Sequence, residues 1–112
     1  MTKNLKKDYL MKLAAIRTKN GYKCDVANYV YNPAYGYEYP NFVKILEENE
    51  EKKVVSRIYF FRHYDGRAEI KERIYDVSKA EGSWVIERNA KTTVLAELGK
   101  ARFSLNQLIS YC

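Results

Sequence analysis

The sequence predicts an α+β fold, a mostly antiparallel sheet of about five strands with two helices packed on one side. Three observations favour it. The chain opens with apolar residues at helical spacing, its middle holds runs rich in β-branched and aromatic residues, and a second helical pattern interrupts those runs. The expected element order is α-β-β-β-α-β-(β)-β, in which strands that follow one another directly pair as antiparallel neighbours.

Length and composition indicate one globular domain over residues 1–112, with 46% hydrophobic and 30% charged residues. The sequence has no apolar run of about 18 residues, which a membrane span would need. Its charged N-terminus lacks the apolar core of a signal peptide. We therefore expect a protein made in the cytoplasm that does not enter a membrane.

The first helix is predicted over residues 4–19, with Asn4 as N-cap and the glycine of Asn20-Gly21 as its stop. Lysines occupy one side of this helix, and apolar residues recur on the other. The apolar stripe consists of Leu5, Tyr9, Leu13 and Ile16.

Strands are predicted next over residues 22–31, 41–47 and 54–64, where β-branched and aromatic residues concentrate. Residues 32–40 contain two prolines and a glycine and therefore read as a loop. The continuous apolar run of the third strand predicts that both of its faces are covered.

The C-terminal part is predicted as a helix over residues 67–81 and strands over 83–88, 92–98 and 101–111. The helical prediction rests on three apolar residues at helical spacing. These are Ile70, Ile74 and Val77. The last strand is predicted from apolar residues that alternate along it.

Charge is unevenly distributed along a chain whose net charge is +6. Residues 1–23 carry seven Lys or Arg against one acidic residue, whereas residues 24–50 carry one Lys against five acidic residues. This asymmetry predicts either binding to nucleic acid or another acidic surface, or head-to-tail packing of identical copies.

No catalytic, metal or cofactor site is predicted. His63 is the only histidine, and Cys24 and Cys112 are expected to be free thiols, so a metal-ligand cluster is missing from the sequence. The acidic run 47–51 lies between two predicted strands, where a solvated turn is expected. An enzyme on a small α+β scaffold, with His63 or these carboxylates as its base, is the weaker alternative.

Tyrosine accounts for eleven of the aromatic residues, and Tyr35, Tyr37 and Tyr39 follow one another closely in the predicted loop. Exposed together on a monomer, three such rings would form a costly apolar patch. Two interpretations remain open: the loop folds back over the sheet edge, or it packs against a neighbouring subunit or partner.

Two signatures and the element order together resemble a known family. Residues 18–26 read Thr-Lys-Asn-Gly-Tyr-Lys-Cys-Asp-Val, and residues 40–45 read Pro-Asn-Phe-Val-Lys-Ile. The predicted second helix ends with Tyr-Asp-Val-Ser-Lys-Ala over residues 75–80. This pattern resembles bacteriophage tail-terminator, or minor tail completion, proteins.

The resemblance implies a structural virion protein with no enzymatic activity and no cofactor. Such proteins form a ring, commonly a hexamer, that caps the tail tube and joins it to the head. The implied partners are copies of itself, the tail tube protein and the head-tail connector or neck proteins. DNA would pass through the lumen without sequence-specific binding, and the protein would reside in the tail or neck.

A ring of this kind needs one surface that complements a different surface on the next copy. Three groups are predicted to make such contacts: the basic helix, the acidic run and the tyrosine loop. The residues are Lys6, Lys7, Lys12, Glu47, Glu48, Tyr35, Tyr37 and Tyr39. The alternative is a small basic nucleic-acid-associated protein or a phage-encoded regulator or inhibitor, which the basic helix also favours.

Overall fold

The computed structural model contains a five-stranded antiparallel sheet and two helices, which confirms the predicted α+β class. It describes residues 2–26, 31–32, 36–37, 39–77 and 90–112. Side chains are described from Lys7 onward, apart from those of the short hairpin within residues 31–37.

The chain forms nine described elements, and the strand order of the main sheet is β1-β4-β5-β6-β7. A separate two-stranded hairpin pairs β2 with β3. The elements are α1 Thr2–Ala15, β1 Lys23–Cys24, β2 Tyr31–Asn32, β3 Gly36–Tyr37, β4 Phe42–Glu48, β5 Lys53–Arg62, β6 Ala68–Asp76, β7 Lys91–Gly99 and α2 Leu105–Ile109.

The first helix lies close to its predicted position but begins at Thr2 and ends at Ala15. Asn4 is therefore inside the helix and is not its N-cap. Leu13 is fully buried, as the predicted apolar stripe requires. The connection to β1 turns at Gly21, whose φ of 82° is a left-handed conformation that glycine adopts without steric cost.

The core lies between one face of the sheet and the two helices, which both pack on that face. Phe42 of β4 pairs in register with Ile58 of β5, so both side chains project to the same side of the sheet. Leu13 of α1 and Leu108 of α2 belong to the same buried cluster as these two residues. This arrangement confirms the predicted placement of helices on one side.

A hydrogen-bonded polar chain crosses this covered face. The hydroxyls of Tyr22 and Ser56 lie 2.9 Å apart, and the Ser56 hydroxyl donates to a carboxylate oxygen of Glu72 at 3.3 Å. Ser56 is 1% exposed, so these bonds offset the free-energy cost of burying its hydroxyl.

The predicted helix over residues 67–81 is wrong, because residues 68–76 form strand β6 in the middle of the sheet. β6 pairs along its whole length with β5, and residues Ala68–Ile74 also pair with β7. Ala68 and Ile70 alternate with charged residues and are buried, so period two governs the segment. The strand predicted over residues 83–88 lies outside the described residues.

The strand predicted over residues 101–111 is also wrong, because α2 occupies residues 105–109. The Ser104 hydroxyl accepts a hydrogen bond from the Gln107 backbone N–H at 3.2 Å, which caps the helix at its N-terminus. Leu108 is fully buried, so this short helix contributes a side chain to the core.

The remaining strands agree in part with the prediction. β4, β5 and β7 confirm the strands predicted over residues 41–47, 54–64 and 92–98. Of the strand predicted over 22–31, the described residues contain the two residues of β1 and Tyr31 of the β2–β3 hairpin, and residues 27–30 lie outside the described part of the chain. That hairpin lies partly in the predicted loop. The two faces of β5 are also unequally covered, because Phe61 is 39% exposed.

Candidate binding face of the sheet

The face of the sheet opposite the helices, hereafter the outer face, combines basic, aromatic and aliphatic side chains. Three cross-strand rows define it, because paired residues of neighbouring strands project from the same side. The rows are Val43, Arg57, Arg73 and Thr92; Ile45, Val55 and Tyr75; and Tyr59, Lys71 and Val94, with Phe61 and Glu69 beyond the last row.

Arg57 is the polar centre of this face. Its Nη2 donates to Asp25 Oδ2 at 3.0 Å, and its Nε donates to the Tyr75 hydroxyl at 3.1 Å. Burial disfavours the charge, but the contacts with Tyr75 and Asp25 outweigh it and raise the pKa of Arg57 above its ordinary value. The guanidinium is therefore charged and held in one orientation by two partners.

A groove of about 800 Å³ surrounds Arg57 on the β1 side of the outer face. Its lining combines an apolar floor, formed by Val43, Val55 and Tyr75, with Lys23 and Lys53. Lys44 borders the groove, but its pairing with Ser56 directs its side chain to the covered face. Asp25 is the single acidic residue among the lining residues that the structure describes. The groove therefore presents more positive than negative charge around an apolar surface.

On the far side of Arg57, two basic side chains lie over aromatic rings. The Lys71 ammonium is 4.3 Å from the centroid of the Phe61 ring, and the Arg73 guanidinium carbon is 5.5 Å from that of Tyr59. Both distances suit a cation–π attraction. The Arg73 Nε is buried and has no hydrogen-bond partner within the described part of the chain.

His63 is engaged in an ion-pair network at the end of β5. Its Nε2 pairs with Glu69 Oε1, and the Lys71 ammonium lies 3.7 Å from the same oxygen. The hydrogen bond from His63 lowers the pKa of the Glu69 carboxyl. In the described structure the imidazole is thus bonded to a carboxylate, a contact that orients the ring.

Both cysteines are buried free thiols. Burial, with a smaller contribution from Asp25, raises the pKa of Cys24 to about 11. Burial, with a smaller contribution from Cys24, raises the pKa of Cys112 to about 12. Both thiols are therefore protonated at neutral pH, a state that is a poor nucleophile and a poor metal ligand. Among the residues that the structure describes, no group of three or more potential metal ligands occurs.

Three aliphatic or aromatic side chains on the outer face are substantially exposed. They are Ile45 at 51%, Phe61 at 39% and Val94 at 45%. Leu46 is 48% exposed beside them, where the register of β4 and β5 shifts between Ile45 and Glu47. This face thus carries exposed apolar side chains on three of its strands, β4, β5 and β7.

The charged residues predicted to make contacts lie on two other parts of the molecule. Lys7 and Lys12 are exposed on α1, and the side chain of Lys6 is outside the described residues. Glu47 and Glu48 are exposed at the end of β4, 3.1 Å from the Lys52 ammonium and 3.6 Å from the Lys53 ammonium, respectively. Exposed pairs of this kind contribute little to stability.

The three tyrosines predicted as a contact loop differ in what the structure describes. Tyr39 packs on its own chain, with its ring centroid 4.7 Å from those of both Phe60 and Phe103. For Tyr39 this contact agrees with the interpretation that the loop folds back. Tyr37 belongs to β3, opposite Tyr31, and its side chain and all of Tyr35 lie outside the described residues.

Sequence analysis missed the outer face as a site. Its signal is an alternation of basic and aromatic residues at period two, Arg57, Tyr59 and Phe61 on one strand and Lys71, Arg73 and Tyr75 on the next. The helix predicted over residues 67–81 concealed that alternation, because a helix distributes the same side chains around its axis.

None of the described helices is long and apolar enough to cross a membrane. Comparisons of the chain with protein-family models, with curated proteins and with solved structures found no match.

Proposed function

We propose that this protein is a non-catalytic structural subunit that assembles with copies of itself into a ring and serves as a bacteriophage tail terminator. The observation that carries the assembly is the outer face, where Ile45, Phe61 and Val94 expose apolar surface beside arginine and aromatic side chains. Its role at the end of a tail tube, between tube and head, rests on the sequence resemblance.

The composition of the outer face supports a protein interface. The cores of such interfaces are enriched in aromatic residues and arginine and contain few unpaired charges. Arg57 is paired with Asp25, and Lys71 lies close to both Phe61 and Glu69. Contact with another subunit would remove the exposed aliphatic side chains from water, a favourable change of roughly 25 cal/mol per Å² of apolar area.

The distribution of charge supports a head-to-tail ring. Such a ring joins two different surfaces of the same chain, and closes when the rotation between copies returns to its start. The groove around Arg57 is predominantly basic, whereas the end of β4 and the turn that follows it carry four glutamates, over residues 47–51. One copy therefore offers two surfaces of opposite charge.

The test compares the oligomeric mass of three variants with that of the wild-type chain by native mass spectrometry over a range of protein concentrations. Ile45→Lys and Val94→Lys place a charge in the apolar part of the outer face, whereas Met11→Lys does so at a residue 63% exposed on α1. We expect the wild type and the Met11→Lys variant to form hexameric rings. The two outer-face variants should need at least about tenfold more protein to assemble.

Circular dichroism establishes that each variant remains folded, and electron microscopy of tail tubes mixed with the protein tests the capping role. A wild-type chain that stays monomeric at every concentration, with and without tail tubes, would contradict the proposal. Equal assembly of Ile45→Lys and the wild type would place the contact elsewhere.

A second candidate function is binding of single-stranded nucleic acid, which the two cation–aromatic pairs favour. Bases stack on aromatic rings while basic side chains neutralise the phosphates, and Lys71 beside Phe61 and Arg73 beside Tyr59 offer both chemistries on one sheet face. The net charge of +6 acts in the same direction.

Fluorescence anisotropy with a labelled single-stranded oligonucleotide tests this candidate at about 50 and about 200 mM salt. Binding through phosphates should weaken steeply with salt, and Lys71→Gln should weaken it more than the matched change Lys91→Gln on exposed β7. No binding at the lower salt concentration would exclude this candidate.

A further inference from the structure

The groove around Arg57 has a chemical character that specifies its occupant. Of the charged residues that line it and project from the outer face, Lys23, Lys53 and Arg57 are cationic and Asp25 is anionic. Its floor is apolar, with Val55 and Tyr75 at 6% and 7% exposure. An occupant that complements both properties brings negative charge together with aliphatic surface.

The groove suits a short peptide segment better than a nucleic-acid strand. Its volume of about 800 Å³ accommodates a few residues. The aromatic ring in its lining, Tyr75, is buried, and the hydroxyl of that ring accepts a hydrogen bond from Arg57. The remaining apolar lining is aliphatic, so a base would find no exposed ring on which to stack.

A segment with the required chemistry occurs in this chain, at the end of β4 and in the turn that leads to β5, hereafter the acidic turn. Its residues 47–52 include four glutamates, and the half-exposed aliphatic side chain of Leu46 precedes them. The Asn49 side-chain oxygen accepts hydrogen bonds from the backbone N–H groups of Glu51 and Lys52 at 2.8 and 3.0 Å. The turn is therefore fixed by its own sequence, which reduces the entropic cost of docking.

The acidic turn of a chain meets only the edge of its own groove, where Lys53 follows the turn and its ammonium lies 3.6 Å from a carboxylate oxygen of Glu48. β4 and β5 are extended and paired between the turn and Arg57. The four residues from Lys53 to Arg57 span ~13 Å at the rise of a β-strand. A contact between the exposed end of the turn, at Glu50, and the part of the groove around Arg57 and Lys23 therefore requires a second molecule.

We propose that the groove of one copy receives the acidic turn of the next copy. This contact specifies the head-to-tail interface of the ring and rests on the proposed function. Lys23, which is exposed on β1 at the lining of the groove, pairs with a glutamate of the turn. Arg57 directs Nε and Nη2 to partners in its own chain and offers Nη1 to the incoming carboxylate.

A charge-exchange experiment tests the proposal on the full chain. Lys23→Glu reverses the charge of the groove, Glu50→Lys reverses that of the turn, and the double variant carries both changes. Both residues are exposed, so each variant should fold. Lys91→Glu and Asp8→Lys are matched charge reversals at exposed residues on β7 and α1.

Native mass spectrometry and sedimentation velocity then give the protein concentration at which half of the chains are assembled into rings. We expect each single change in groove or turn to raise that concentration by about tenfold, and the double variant to recover most of the loss, as directly interacting residues do. The matched controls should assemble at the wild-type concentration. An equimolar mixture of Lys23→Glu and Glu50→Lys should also assemble, because each groove then meets a turn of opposite charge.

Three results would overturn the proposal. If both single variants assemble like the wild type while Val94→Lys, outside the groove lining, does not, the ring stands and this contact is wrong. If the double variant assembles no better than either single variant, Lys23 and Glu50 do not face each other. If Lys23→Glu weakens oligonucleotide binding and leaves self-assembly unchanged, the groove belongs to a nucleic-acid site.

Discussion

At the scale of single residues, the outer face depends on how Arg57 is kept charged beside buried apolar side chains. Asp25 balances the charge, and the Tyr75 hydroxyl accepts a second hydrogen bond. An arginine in this setting keeps a planar set of donors in a fixed direction, which a flexible lysine does not. The same two contacts that stabilise the side chain therefore also fix the orientation of its guanidinium at the lining of the groove.

The two cysteines lead to a prediction about pH. In the unfolded chain their pKa lies near 9, whereas in the folded protein that of Cys24 is about 11 and that of Cys112 about 12. Above pH 9 the unfolded chain loses these protons first, so the free energy of unfolding should fall as pH rises from about 9 toward 11–12. Below pH 9 the thiols should add no pH dependence.

Urea denaturation at several pH values between 7.5 and 10.5 measures this effect. The variant Cys24→Ala/Cys112→Ala is the control, because it lacks both thiols and should show a shallower decline above pH 9. A thiol reagent at pH 8 should label the native wild type slowly and the unfolded chain rapidly. Rapid labelling of both thiols in the native protein would contradict the burial of Cys24 and Cys112.

At the scale of secondary-structure elements, the local sequence pattern and the tertiary pairing favour different structures for residues 68–76. The segment 68–76 is rich in good helix formers, and Ile70 and Ile74 have helical spacing. The same segment also alternates, with Ala68 and Ile70 on the covered face and Lys71 on the outer face. Ladder hydrogen bonds to both β5 and β7 decide for the strand, and those partners are distant in sequence.

The second wrong prediction, the strand over residues 101–111, concerns a segment whose sequence does contain a helix signal. The alternation of apolar residues along the segment concealed that signal. Ser104 and Gln107 have the spacing of a capping box, and the apolar residues Leu105 and Leu108 that accompany them fit a helical turn. The strands β4, β5 and β7, by contrast, were predictable, because β-branched residues there agree with their environment. Elements in which local preference and tertiary contacts coincide are thus predictable from sequence.

The candidate site could be predicted only in its composition. The acidic run and the basic first helix were predicted as contact surfaces because charge runs are visible along the chain, and that role stays a prediction. It did not bring Arg57, Asp25 and Tyr75 together, since these residues come from three segments that are far apart in sequence. That convergence depends on the register of β4, β5 and β6.

At the scale of the whole molecule, the two faces of the sheet have separate roles. The covered face joins sequence-distant parts of the chain: Leu13 and Leu108 share one cluster, and the backbone N–H of Asn20 donates to the carbonyl of Cys112 at 3.0 Å. The outer face holds the groove and the exposed apolar residues. Among the described residues, most of the buried side chains belong to the cluster on the covered face, whereas the outer face carries the exposed side chains of Ile45, Phe61 and Val94, which we propose as the assembly surface.

This division predicts that a core change on α2 affects stability and leaves the assembly contacts intact. Leu108 is fully buried, so Leu108→Ala should lower the free energy of unfolding by about 2–5 kcal/mol through lost burial and a residual cavity. Gln107→Ala, one residue earlier, changes an exposed side chain and keeps the backbone N–H that bonds Ser104. It should alter that free energy by less than about 0.5 kcal/mol.

Urea denaturation measures both values, and native mass spectrometry at low temperature reports assembly of the fraction that is folded. Leu108→Ala should assemble at the wild-type concentration once corrected for that fraction, because its side chain lies on the face opposite Ile45 and the groove. A weaker assembly than this correction allows would mean that the two faces are coupled through the sheet. A loss of stability equal to that of Gln107→Ala would mean that α2 does not cover the core.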